Sequence, residues 1–360
     1  MSLLRSIRAQ LGLMSGGNES QNHFFDGSVA NQLTLKRGVP DAPGATVMSV
    51  VDGNVAFPNT PGFSFRNKII NGGMRIQQRA NVTLSGTPQY SVDRWRVSIS
   101  NGTVSAGYAT SSDFGQSPSG KGLRLVGLSC VTCNIVMQQR IESANSLGLS
   151  GKKVTVSGII LQDTGAPVNY RVSLRKANAV DDFTTTTSIT DSTDFAIPSG
   201  VATAFAQTLI IPAGDAANGL ELWVWVPTAL TVTNKNFTLS AVQLEEGSIA
   251  TPFEQRPIGL ELSLCQRYYW RGLPCGAFSF SAYAAGAFMG FVIHFPTKLR
   301  VIPAVIDLIA PGAIITNVTS AVRDSITSEG FRYLVTSTAA GGAAVALTPA
   351  TDNFSASAEL

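Results

Sequence analysis

Charge is what this 360-residue chain has least of. Asp, Glu, Lys and Arg together make up 14%, against about 25% in ordinary soluble domains. The net charge of +3 is too small to draw the chain to nucleic acid or a membrane surface, and no basic cluster supplies a phosphate footprint. Long apolar runs are missing as well, so no segment reads as a membrane span and membrane insertion is not expected. The opening MSLLRSIRAQLGLMSGG places Arg5 and Arg8 where a secretory signal needs an unbroken apolar core, so export by that route is not expected. The four cysteines are too sparse for a disulfide scaffold in a chain of this length. Phosphate-binding glycine loops are absent too, and the six Asn-x-Ser/Thr sequons follow from the Asn, Ser and Thr richness.

What stands in place of charge is Ser, Thr, Asn, Gln and 34 glycines on a 44% hydrophobic background, the composition of short strands and tight turns in a globular protein. Between Lys68 and Glu246 apolar and polar residues alternate with period two, as in Arg94–Ile99, Leu123–Val126, Val154–Ser157, Tyr170–Leu174 and Leu222–Val226. Turn pairs such as Asn101-Gly102, Ser150-Gly151 and Asn218-Gly219 separate them. Many short alternating strands predict an all-β fold, a jelly-roll β-sandwich, with one helical turn near Ser143–Gly148. PIGLELSLCQ (257–266) predicts a linking helix with Pro257 in its first turn. The strands read at 277–280, 290–295 and 331–335 predict a smaller β-sandwich at the C-terminal end. The first sixty residues differ: Leu3, Leu4, Ile7, Leu11 and Leu13 suggest a short helix, and Val47–Val51 before Asp52-Gly53 suggests small strands. Such a segment cannot enclose a core alone and reads as a docking arm.

Catalytic signals are weak. His23 and His294 lie in different modules, and on its apolar strand His294 reads as a half-buried structural residue. No Gly-x-Ser-x-Gly elbow accompanies them. Cys130 and Cys133 form one CxxC, but residues three apart on a strand face opposite ways, so the pair is expected not to chelate and no metal is assigned. Cys265 and Cys275 read as buried thiols. The adjacent pairs Asp181-Asp182 and Glu245-Glu246 cannot both flank a single glycosidic bond. No catalytic residue and no cofactor is expected. Recognition chemistry remains: Trp223 and Trp225 share one face of one strand, which reads most simply as core, with a sugar-stacking platform as the alternative. Tyr90 and Tyr283, beside turn-like residues, are further contact candidates.

NKIINGGMRIQQRA (67–80), VDRW (92–95) and VQLEEGSIATPFEQRPIGLELSLCQRYYW (242–270) resemble the opening and close of a jelly-roll module common in tailed-bacteriophage fibre and appendage proteins. FPTKLRVIPA (295–304), Gly330-Phe331 and the final FSASAEL resemble the distal domain of such fibres. Residue by residue, Asn71-Gly72-Gly73 reads as a tight turn, Trp95 as a core anchor, and Glu245 or Glu246 as acceptor for turn N–H groups or partner of Arg79 or Arg256.

The resemblance implies an attachment arm at 1–66, a carbohydrate-binding-like jelly roll at 67–256, a linking helix at 257–270 and a distal domain at 271–360. It further implies a structural, non-enzymatic virion protein, made in the bacterial cytoplasm, forming a homotrimeric tail fibre that adsorbs to a host-surface glycan or protein. The arm would bind other virion proteins of the tail, baseplate or head. A head or collar fibre and a glycan depolymerase are the alternatives, and the receptor contact is expected mainly in residues 271–360.

Overall fold

The computed structural model describes residues 65–110, 117–130, 132–272, 277–308, 314–346 and 354–360, together with four strands nearer the N-terminus. Those four are β1 (His23–Asp26), β2 (Gln32–Val39), β3 (Ala42–Val51) and β4 (Asn54–Ala56), hydrogen-bonded in chain order. β3 and β4 occupy the segment where small strands were expected. The helix expected at 3–13 lies outside the described residues.

The jelly-roll region begins with β5 (Val82–Leu84), β6 (Gln89–Tyr90), β7 (Arg96–Ile99), β8 (Gly102–Thr110), β9 (Lys121–Cys130) and β10 (Ile135–Ile141). After the helical turn Ser143–Ser146 come β11 (Lys153–Gln162), β12 (Val168–Ala179), β13 (Asp182–Asp191) and β14 (Phe195–Ile197). β15 (Thr203–Ile210), β16 (Leu220–Trp225) and β17 (Asn236–Glu246) complete it. One sheet runs β13–β12–β16–β10–β7–β6, with β14 also pairing β12, and the other runs β15–β11–β17–β9–β8–β5. Antiparallel sheets of this kind bury one face each. Here the inner faces meet in one core containing Val97, Met137, Val172, Leu222, Val224, Leu239 and Leu244.

Trp95 anchors that core at 0% exposure, and its indole N–H donates to the Asn71 carbonyl at 3.0 Å. The Asn71-Gly72-Gly73 turn is closed by the Asn71 side chain, which donates to the carbonyls of Ile76 and Asp93 and accepts from the N–H groups of Arg75 and Ile76. Gly72 is required there, because a Cβ would stand 2.1 Å from the Val242 carbonyl oxygen. Glu245 accepts the Thr251 N–H at 2.8 Å, as expected of a turn acceptor. Its arginine is Arg66, at 3.8 Å. Arg79 pairs instead with Asp93 and Glu359, and Arg256 with Glu254 and Glu261.

The helix Ile258–Gln266 leads into nine further strands: β18 (Tyr269–Gly272), β19 (Ala277–Ala282), β20 (Phe288–His294), β21 (Ile306–Leu308), β22 (Ile314–Thr316), β23 (Val318–Asp324), β24 (Gly330–Ser337), β25 (Gly341–Ala346) and β26 (Phe354–Ser357). They form three small sheets, β18–β26–β21, β19–β25–β22 and β20–β24–β23. Their own core gathers Trp270, Phe295, Phe331, Tyr333 and Phe354, with ring centroids 5.2–6.0 Å apart along the chain of contacts Trp270–Phe295–Phe331–Phe354. His294 is exposed on β20, not half-buried as its apolar strand suggested.

Candidate functional site

The side chains of β16 alternate. Leu220, Leu222 and Val224 are fully buried, whereas Glu221, Trp223 and Trp225 point to the other face. Trp223 and Trp225 therefore do share a face, but it is the outer face of the sheet. The core reading of this pair is corrected, and the physical reason is parity: the apolar even-numbered residues already fill the core side.

Register extends that outer face across the sheet in rows. Arg96 on β7, Gln138 on β10, Trp223 on β16 and Ser173 on β12 are consecutive cross-strand partners. Below them Arg140, Glu221 and Arg175 form a second row. Above them Ser98, Val136, Trp225 and Arg171 form a third. The sheet thus carries two tryptophans and four arginines on a surface whose other members are Ser98, Val136, Gln138, Ser173 and Glu221.

A cavity of about 570 Å³ opens over this face, a size suited to a small ligand. Its floor is Arg96, Ser98, Gln138, Arg140, Glu221 and Trp223. One wall is the hairpin between β12 and β13, with Asp181, Asp182, Phe183, Thr184 and Thr186, and the other contributions come from Pro88 and Leu360.

Guanidinium groups organise the aromatic rings. Arg175 lies 4.5 Å from the Trp223 ring centre and is held there by bonds to the hydroxyl and carbonyl of Thr186. Arg171 lies 5.6 Å from the Trp225 ring and is paired with Asp194 at 2.6 Å. The two indoles meet edge to face with centroids 6.3 Å apart. Trp225 donates its N–H to Ser173 at 2.8 Å, while the Trp223 indole N–H has no hydrogen-bond partner among the described residues. Arg140 is engaged through all three of its nitrogens: it donates to Glu221 at 2.9 Å, to the Phe183 carbonyl at 3.1 Å and to the Leu360 carbonyl oxygen. Asp181 accepts from Ser143, and Asp182 accepts from the N–H and hydroxyl of Thr184, bonds that hold Asp182 below the usual carboxylate range.

The last residues of the chain close one end of this surface. Glu359 pairs with Arg79 at 3.0 Å and with Arg94. Arg94 is 1% exposed, with its guanidinium 3.5 Å from the Tyr268 ring centre. Arg300 donates to the carbonyls of Ala358 and Glu359 at 3.0 Å each. Tyr90 belongs to this clamp. Its hydroxyl donates to the Leu360 carbonyl oxygen at 3.3 Å, its ring lies 5.1 Å from the Arg79 guanidinium, and burial together with the Glu359 carboxylate pushes its phenol up to about 12.

Of the contact candidates, then, Trp223, Trp225 and Tyr90 come together on one sheet face. Tyr283 does not. It stands 90% exposed beside the turn closed by the Ala287 N–H to the Ala284 carbonyl, in the C-terminal region. Arg96, Arg140, Arg175 and Glu221 were not anticipated. The readable signal was Glu221 itself: a carboxylate two residues before Trp223 marks that strand face as polar.

The CxxC also departs from expectation. Thr132 adopts a positive φ of 64°, which breaks the strand parity, and both thiols converge on Gly102. A Cβ there would stand 2.6 Å from Cys133 Sγ and 2.9 Å from Cys130 Sγ. Both cysteines are fully buried, as is Cys265; Cys275 lies outside the described residues. Burial and the neighbouring Cys133 push the Cys130 thiol up to about 12. Among the described residues no group of three or more His, Cys, Asp or Glu side chains converges as a metal site would require.

No protein-family model matches the chain, and no curated protein matches it. Its fold is similar to that of several solved structures. A carbohydrate-binding module of the β-sandwich superfamily aligns over 59% of this chain and 72% of its own length, at 13% identity and a TM-score of 0.35. The CBM22-1 xylan-binding domain of Paenibacillus barcinonensis Xyn10C aligns over 46% of this chain and 98% of its own, at 12% identity and a TM-score of 0.31. The enzymatically active domain of bacteriophage CBA120 tailspike protein 4 aligns over 52% of this chain but 22% of its own, at 15% identity and a TM-score of 0.31.

Proposed function

We propose that the chain is a non-enzymatic glycan-binding subunit of a phage virion appendage, and that the groove over the β16 face is its sugar site. The observation that carries the reading is the placement of Trp223 and Trp225. Two half-covered indoles stand on a guanidinium-braced sheet face, Trp223 lining the cavity and Trp225 beside it, where an apolar sugar face can stack and hydroxyls can find donors and acceptors. The sequence resemblance at 67–80 and 242–270 supports the appendage context, with the virion as the location.

This reading moves the receptor contact from residues 271–360 to the sandwich. The distal module then serves as a partner surface: Phe288, Val292 and Val322 are exposed on the β20–β24–β23 sheet, and such patches mark interfaces. A threefold assembly of identical chains, anchored through residues 1–66, would cover them and multiply weak sugar contacts by avidity.

Glycan cleavage is disfavoured by chemistry in the groove. A proton donor to a glycosidic oxygen needs a raised pKa, whereas Asp182 is held low and Glu221 is engaged by Arg140.

The test is calorimetric binding of the full chain to a panel of bacterial surface and plant-derived oligosaccharides. Binding that weakens roughly tenfold in Trp223→Ala and is unchanged in Tyr283→Ala is expected. Binding that depends on Tyr283 and ignores both tryptophans, or release of reducing ends from any bound glycan, would overturn the reading.

A further inference from the structure

Within the groove the ionic accounts of the arginines do not match. Arg140 is paired with Glu221, Arg171 with Asp194, and Arg175 is spent on Thr186 and the Trp223 ring. Arg96, on the same floor, makes no side-chain hydrogen bond or ion pair among the described residues. It is half-buried on β7, where partial desolvation and the neighbouring Arg140 disfavour its charge more than Tyr90 and the Glu221 carboxylate, itself bonded to Arg140, favour it. A guanidinium is never neutral at ordinary pH, so the folded protein holds a cation there with its fork of donors unanswered.

The strand order places this cation at one end of the groove. From β7 to β12 the sheet crosses three strand spacings, about 14 Å at ~4.8 Å each. The carboxylates of Asp181 and Asp182 line the far wall, at the β12–β13 turn, already engaged by Ser143 and Thr184. The groove is therefore polarised, with an open cation by Pro88 and Ser98, a stacking ring at Trp223 in the middle, and acceptors beyond it. An anion is repelled at the far wall and attracted at the near one.

Taking the groove as the glycan site, we propose that it selects acidic saccharides, seating the carboxylate of a uronic-acid residue on the Arg96 guanidinium while a neighbouring sugar stacks at Trp223. A planar carboxylate matches the guanidinium fork with two parallel hydrogen bonds, and that bidentate fit sets it apart from a neutral hydroxyl. The carboxylate also relieves the repulsion between Arg96 and Arg140, so the ligand supplies the direct ion pair that Glu221, bonded to Arg140, does not give Arg96. Asp181 and Asp182 accept from hydroxyls of the same oligosaccharide and fix its direction.

The experiment compares oligogalacturonate with its methyl ester, which keeps the sugar chain and removes the charge, using the full chain and calorimetry at fixed ionic strength. Oligogalacturonate is expected to bind roughly tenfold or more tightly than the ester, the increment of a charge-assisted fork. Arg96→Gln should bring the acid down to the ester's affinity with the melting temperature nearly unchanged, because Arg96 makes no side-chain hydrogen bond or ion pair among the described residues. Arg96→Lys should recover only part of the preference, since an ammonium keeps the charge and loses the fork. Equal binding of acid and ester, or a preference that survives Arg96→Gln, would overturn the proposal while leaving the groove as a neutral-sugar site. Dextran sulfate binding as tightly as oligogalacturonate and equally in Arg96→Gln would also overturn it, as general charge attraction. Failure of both oligosaccharides to bind, with a neutral glycan bound through Trp223, overturns the acidic specificity alone. Failure of every glycan to bind overturns the groove reading with it.

Discussion

The outer face of the sandwich and the C-terminal region both bring aromatic side chains to the surface, and the two places are built differently. On the sandwich, Trp223 and Trp225 are half-covered, braced by Arg175 and Arg171, and set beside a cavity. In the C-terminal region Tyr283 and Phe288 are 90% and 69% exposed and lie outside that cavity. Exposure alone would rank the second place first. Ligand recognition depends instead on convergence, because a sugar offers many hydroxyls and few apolar carbons and must meet donors, acceptors and a ring together. A sheet face with exposed Phe288, Val292 and Val322 offers area without convergence, which suits another protein surface.

That contrast can be broken most severely at its supports. Trp95 and Trp223 belong to the same sheet region but to opposite faces. Trp95→Ala empties a fully buried site and should cost about 3–5 kcal/mol, read as a collapse of the denaturation midpoint. Trp223→Ala should leave that midpoint nearly intact. If the two substitutions destabilise equally, Trp223 is core and the groove is misassigned.

Next in size is the clamp that joins the tail to the sandwich. Glu359 answers the guanidinium groups of Arg94 and Arg79; Arg79 keeps Asp93, but Glu359→Ala leaves the buried Arg94 cation uncompensated and should cost about 3 kcal/mol. Leu360 also lines the groove, so the variant should weaken glycan binding as well, which distinguishes a clamp that shapes the site from one that only holds two modules together.

Smaller again is the direct effect on binding. Trp223→Ala or Trp225→Ala should lower glycan affinity roughly tenfold, an aromatic-contact increment of about 1.4 kcal/mol, measurable by calorimetry on the full chain, while Tyr283→Ala leaves it unchanged.

The smallest thermodynamic change is expected at the distal face. Phe288→Ser should alter the stability of one chain by no more than about 0.5 kcal/mol, as for most exposed positions. It should nonetheless reduce the mass found by light scattering if that face is an interface. An unchanged mass would remove the distal sheet from the assembly surface.

The strands themselves were legible in the sequence, because alternation and Gly-containing turns are local signals: Arg94–Ile99 and Tyr170–Leu174 fall on β7 and β12, and the helix falls at Ile258–Gln266. The two tryptophans were legible as a pair, and their side of the sheet was misread although Leu220, Leu222 and Val224 on the opposite parity already supplied a core face. The groove was not legible. It exists because register sets Arg96, Gln138, Trp223 and Ser173 in one row from four strands whose order, β7–β10–β16–β12, no local pattern encodes. The Arg94–Glu359 contact spans 265 positions and depends on the C-terminal region folding back. The cysteine pair failed for a local reason, the left-handed turn at Thr132, which the alternation rule cannot anticipate.

The four tryptophans provide the most direct test of the groove. Trp223 and Trp225 lie on it, while Trp95 sits in the sandwich core and Trp270 in the C-terminal core. In an NMR titration with a bound oligosaccharide, the indole N–H resonances of Trp223 and Trp225 should shift and those of Trp95 and Trp270 should stay in place. Saturable binding that leaves the Trp223 and Trp225 resonances unmoved would contradict the account and place the ligand elsewhere on the molecule.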